Sequence, residues 1–77
     1  MATIEVGPYE LVRKASKGVK FDKVIVAMMS DQSVSERHVD ENGETTCQKW
    51  FPCVDSYHAV RKIEILKERY KKEAYTD

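Results

Sequence analysis

The dipeptide Asn42-Gly43 sits between "SVSERHVD" and "TTCQKWF", two runs that read as extended chain. Asn-Gly tolerates the left-handed backbone of a tight reversal and is the strongest short-range signal for a β-hairpin. It places an antiparallel pair of strands in the middle of the chain and limits what the flanks can become. Upstream, "KFDKVIVAMMS" is rich in β-branched residues, apolar over a strand's length and stopped by polar residues on both sides. That pattern predicts a strand buried on both faces and central in its sheet. In "SVSERHVD", alternation puts Val34, Glu36 and His38 on one face and Ser35, Arg37 and Val39 on the other, as in a mostly solvated strand.

Downstream, "VDSYHAVRKIEILKERYKKEAY" carries Ala59, Ile63, Leu66, Tyr70 and Ala74 at steps of three and four, with Tyr57 and Val60 beside them. This is one apolar stripe of an amphipathic helix, facing a core. Asp55 or Ser56 can cap its first N–H groups. Ile65 falls off the stripe, on the wet side.

The start of the chain supports two readings. "TIEV" is a short strand with Gly7-Pro8 as punctuation. "PYELVRKASKG" has proline at a first helical position and Gly18 as a stop, which predicts a short helix over residues 8–17. The competing reading is a strand, because Tyr9, Leu11 and Arg13 alternate with Glu10 and Val12. The expected fold is therefore α+β. A three-stranded antiparallel sheet is packed by a long C-terminal helix and preceded by a short N-terminal strand, helix or both, giving β-α-β-β-β-α or α-β-β-β-α. At 77 residues the chain forms one domain, residues 1–77. Such a domain hides only roughly 60–65 % of its unfolded surface, so its stability margin is a few kcal/mol.

Both cysteines and the one tryptophan lie in "CQKWFPC", residues 47–53. Cys47 and Cys53, with His38 and His58, are the right ligand types for zinc, but the spacing is wrong for a knuckle, whose cysteines stand two to four residues apart. In extended chain, six steps put the two Cα atoms roughly 20 Å apart. A disulfide needs about 4.4–6.8 Å. Pro52 ends the strand before the helix cap. Both thiols are expected to be ordinary buried side chains, with no metal and no cofactor. Trp50 and Phe51 point to opposite faces of the strand, one into the core and one onto the open face, where an exposed aromatic is a candidate partner contact. Met28 and Met29 are expected in the core.

Other chemistry is sparse. His38 beside Asp40 or Glu36 has the composition of an acid–base unit, yet on a solvated strand it reads as a surface charge pair. His58 falls in the first helical turn and is expected to be partly exposed. No Ser–His–Asp order, Gly-rich phosphate loop or paired-carboxylate cleft is present, and a chain this small has little room for a pocket of about 300 Å³. An enzyme is not expected.

Thirteen basic residues balance thirteen acidic ones, so no global field draws the chain to nucleic acid or a membrane. The charges are segregated, however. Arg13, Lys14, Lys17, Lys20 and Lys23 cluster early, and Arg61, Lys62, Arg69 and Lys72 lie along the helix. Asp40, Glu41 and Glu44 make the central hairpin acidic. The longest apolar run, "VIVAMM", is far below the ~20 residues that span a bilayer, and "MATIEVGPYE" lacks the basic start and apolar run of a secretion signal. A cytoplasmic protein, in a host cell's cytoplasm if phage-encoded, is expected.

Two functions follow. The first is a non-catalytic module acting through protein–protein contacts: an adaptor, regulator or inhibitor of a larger machine, or a homodimer, as small phage and mobile-element proteins often are. Its contacts would be Trp50, Phe51, Ile65, Arg61, Lys62, Arg69, Lys72, Asp40, Glu41 and Glu44. The second is nucleic-acid binding. The β-β-β-α order, with the aromatic strand end "KWF" leading into a capped helix, is similar in outline to integrase arm-type and plant ethylene-response DNA-binding domains. With an N-terminal helix, α-β-β-β-α resembles the double-stranded RNA-binding domain. Those resemblances imply contacts to DNA or double-stranded RNA through Arg13, Lys14, Lys17, Lys20, Lys23, Arg37 and Lys49. The chain departs from both families: "DENGE" would repel phosphates, and the helix starts with "DSYHAV" where RNA binders are Lys-rich.

Overall fold

A computed structural model describes residues 3–77. The chain forms β1 (Ile4–Arg13), β2 (Asp22–Met29), β3 (Val34–Val39), β4 (Thr45–Phe51) and α1 (Ser56–Lys71). The strands form one antiparallel sheet in the order β1-β2-β3-β4, and α1 lies across β1, β2 and β3. The fold is α+β, with four strands instead of three.

The extra strand joins the "TIEV" strand to the segment for which helix and strand readings competed, and settles it as strand. Gly18 does not stop a helix; it turns a hairpin. Its φ is +79°, and Ser16 and Val19 exchange backbone hydrogen bonds of 2.9 Å around Lys17-Gly18. β1 then pairs with β2, Leu11 opposite Val24 and Arg13 opposite Asp22. Sheet pairing outweighs the helical propensity of the segment, since Leu11 becomes fully buried only as a strand residue facing α1. Gly7 is required where it stands: φ is +95°, and a Cβ there would meet Tyr9 N and Val26 O at 3.1 Å. β1 is irregular at this point, with register shifts on both sides of Val6.

The Asn42-Gly43 hairpin forms as a three-residue loop, Glu41 to Gly43. Gly43 alone takes a left-handed backbone, at φ +81°, and its N–H donates to Asp40 O. Asp40 Oδ1 accepts from Asn42 N and Glu44 N at 2.9 Å, so this carboxylate holds the turn.

Asp55 is the N-cap of α1: its side chain accepts from His58 N at 2.9 Å, and that bond holds the Asp55 carboxyl below the usual carboxylate range. Ala59, Ile63 and Leu66 are buried against Leu11, Val24, Val26, Met28 and Val34. Burying a side chain such as Leu66 contributes about 1.5–3 kcal/mol. The helix is shorter than its stripe suggested. It ends at Lys71, and Ala74, at φ +71°, turns the chain back exposed. The tail replaces it in the core with Tyr75 and pairs Thr76 with Val12 on β1. Of the two methionines, Met28 is buried and Met29 partly so.

Candidate functional site

The face of β3 that carries Val34, Glu36 and His38 points into the molecule. Val34 is fully buried and opposes Met28 of β2, and this parity carries Glu36 and His38 inward as well. Glu36 is 1 % exposed, so the surface charge pair expected around His38 is instead part of a buried polar seam. His38 Nδ1 lies 2.9 Å from Asp22 Oδ2, and Nε2 lies 3.2 Å from Glu36 Oε2. Tyr70, from the last turn of α1, brings its hydroxyl to 3.2 Å of the same Nε2, and Tyr75 donates to Asp22 Oδ2 at 2.6 Å. Asp40 is not a partner of His38; it serves the hairpin turn.

The seam sets the protonation of its members. Burial pushes the Asp22 carboxyl up, but hydrogen bonds from Tyr75 and His38, with the charges of His38 and Arg13, outweigh it and hold Asp22 below the usual range. Burial, with the Asp22 hydrogen bond and charge, pushes the Tyr75 phenol up to about 12. Burial and the neighbouring Glu36 charge raise Tyr70 further. Both ring nitrogens of His38 are occupied from within the fold, so neither is offered to a substrate. The seam fastens the C-terminal end of the helix and the tail to the sheet.

Above it lies an open groove of about 870 Å³, larger than a chain of this size was expected to hold. The β1–β2 and β3–β4 hairpins reach the same end of the sheet, so Lys20 lines one side and Asp40 and Glu41 the other.

The cysteines differ from expectation. α1 leaves most of β4 uncovered, and Cys47, opposite His38, is exposed. Cys53 is half-buried, its Sγ 3.5 Å from Phe51 O, and both thiols are free. Among the described residues, no group of three His, Cys, Asp or Glu side chains is placed to hold a metal ion.

Trp50 and Phe51 take opposite faces. Phe51 packs against the core beneath Lys62, whose Nζ is 4.4 Å from the ring centre. Trp50 is 55 % exposed on the sheet face away from the helix, near Arg37 on the neighbouring strand.

Apart from Phe51, which the core takes, the residues expected to bind a partner fall into three groups. Arg61, Ile65 and Arg69 follow one another at steps of four on the outward side of α1, with Lys62 on its flank over Phe51 and Lys72 at its C-cap. Trp50 stands alone on the other side of the molecule. Asp40, Glu41 and Glu44 are confined to the hairpin turn. Tyr57 and Val60, expected beside the buried stripe, are 69 % and 37 % exposed; Tyr57 joins the helix group, with Val54, just ahead of α1, at 79 %. The helical period contained the signal, since Tyr57 precedes Arg61 by four. Together with Ile65, 47 % exposed, Val54 and Tyr57 line a shallow depression that also takes in Pro52 and Cys53. His58 sits at its rim, exposed, with Nδ1 2.8 Å from Asp55.

The basic residues expected to meet nucleic acid are not brought together. Lys14, Lys17 and Lys20 lie at the β1–β2 hairpin end. Lys23 and Arg37 face away from the helix, and Lys23 pairs with Glu10 at 2.9 Å. Arg13 packs over Tyr75, and Lys49 is on the helix side, 4.0 Å from Glu36. Among the described residues, no helix is long and apolar enough to cross a membrane.

No protein family matches the chain, nor does any curated protein or any solved structure.

Proposed function

We propose that this protein is a non-catalytic binding module that acts through protein–protein contacts, as an adaptor, regulator or inhibitor in the cytoplasm. The observation that carries this reading is the outward stripe of α1, where Tyr57 and Ile65, with Val54 just ahead of the helix, stand exposed around one depression. Exposed apolar and aromatic residues gathered on one surface, with arginine among them, are the composition of an interface centre. The groove over His38 supports catalysis poorly, because its one imidazole is bound at both nitrogens.

Affinity capture from the producing cells, with the wild type against a Tyr57→Ala, Ile65→Glu variant, tests the proposal. Both positions are exposed, so the variant keeps its fold. A protein retained by the wild type and lost by the variant is expected; a partner held equally by both removes the stripe as the interface. Nucleic-acid binding is the weaker reading, because the cations it needs are spread over both faces. A mobility shift that weakens steeply with salt would restore it, since phosphate contacts release counterions.

A further inference from the structure

We infer that the outward stripe of α1 takes an acidic amphipathic helix of another protein, an inference that rests on the protein-binding reading above. Its basis is the order of residues along the helix. Tyr57, Arg61, Ile65 and Arg69 follow at steps of four, so they form a single ladder that alternates aromatic, cation, aliphatic, cation. The depression beside it is lined by apolar side chains and by His58, Arg61 and Lys62, with no carboxylate among the lining residues. Of the acids near it, Asp55 is committed to the helix cap and to His58, and Glu64 and Glu68 of α1 stand against Arg61, Lys62, Arg69 and Lys72. A helix laid along this ladder fills the spaces around Tyr57 and Ile65 with apolar side chains and meets Arg61 and Arg69 with Asp or Glu one turn away. This is the groove mode of helix recognition, with the rim charge choosing the partner.

A second copy fits the ladder poorly. Two such stripes face to face bring Arg61, Lys62, Arg69 and Lys72 of both chains into one contact, against only Glu64 and Glu68 from each. An anionic membrane surface shares the charge preference, but the apolar area is too small and too shallow for it. Of the large apolar residues lining the depression, Val54, Tyr57 and Ile65 project, and Trp50 faces the opposite way.

The test is selection from a displayed library of 16-residue amphipathic helices with fixed leucines and randomised Glu, Gln or Lys at the flanking positions. Selection on the wild-type protein is expected to enrich Glu at those positions. Selection on an Arg61→Glu, Arg69→Glu variant is expected to enrich Lys. An enriched acidic peptide should bind the wild type at least tenfold more tightly than the charge-reversed variant, and should be lost on Ile65→Glu. Enrichment of Lys or Gln on the wild type, or an acidic peptide indifferent to Ile65→Glu, overturns the inference. Equal retention of the wild type and the charge-reversed variant by vesicles of anionic lipid is expected, and strong selective retention of the wild type by those vesicles also overturns it. A partner captured through Tyr57 and Ile65 whose contacting segment is not acidic would defeat this inference and leave the protein-binding reading intact.

Discussion

Tyr75 donates its hydroxyl to Asp22 over 2.6 Å, tying the tail of the chain to the first residue of β2 across 53 positions of sequence. Through Asp22 it reaches His38, and through His38 it reaches Glu36 and Tyr70. The tail is thus part of the fold and holds α1 in place. Tyr75→Phe keeps the packing and removes only this donor. A hydrogen bond to a charged group is worth about 1.5–3 kcal/mol. For a domain of this size each kcal/mol shifts Tm by roughly 4–8 °C, so a fall of about 6–24 °C is expected by calorimetry. An unchanged Tm would mean that the tail does not fasten the helix.

The same bond gives the fold a pH dependence on the acid side. Asp22 has its folded pKa below its unfolded one, so its contribution is fully present above the unfolded value near 3.8 and is lost as pH falls through the folded value. Urea midpoints measured between pH 6 and 2 should drop for the wild type. They should drop less steeply for Asp22→Asn, which is weaker throughout but has no carboxyl there to titrate. Parallel curves for the two proteins would place the acid sensitivity elsewhere.

At the alkaline end Tyr75 is the reverse case. Its folded pKa is raised to about 12, so its contribution is intact below pH 10 and disappears between pH 10 and 12. Ultraviolet titration should show two of the four tyrosines, Tyr70 and Tyr75, ionising late and together with unfolding. Four phenols titrating as one group would contradict the buried seam.

His38 sits between two carboxylates and Glu36 is buried, so truncating the imidazole strands them. His38→Ala should cost about 2–4 kcal/mol, because a buried charge loses its partner. Glu36→Gln keeps the shape and one hydrogen-bonding atom, and should cost less. Chemical denaturation that ranks the two in the opposite order would show that the seam is not what His38 serves.

How much of this was legible in the sequence depends on distance along the chain. The central strand β2, the hairpin at Asn42-Gly43 and the buried line Ala59, Ile63 and Leu66 each follow from a local period or turn residue. The exposure of Ile65 follows from the same helical period. β1 stays open between helix and strand in the sequence because proline and Gly18 serve a helix and a hairpin equally well, and the deciding factor, pairing with β2, is not local. Glu36 and His38 were assigned to solvent because they are polar. Their inward face is set by Val34 and by strand register, and the partners of His38 on other elements are 16 and 32 positions away. Cys47 was expected inside because cysteine usually is; it is exposed because α1 stops short of β4.

The most direct measurement is photo-cross-linking from α1 in the cells that make the protein. A photoreactive phenylalanine analogue is placed at position 65 in one version and at position 14, on the basic hairpin, in another. A discrete protein adduct from position 65, absent from position 14 and abolished by Tyr57→Ala, is the expected result. Nucleic acid cross-linked from position 14, with nothing attached at position 65, would contradict the claim that the helix stripe is where this protein works.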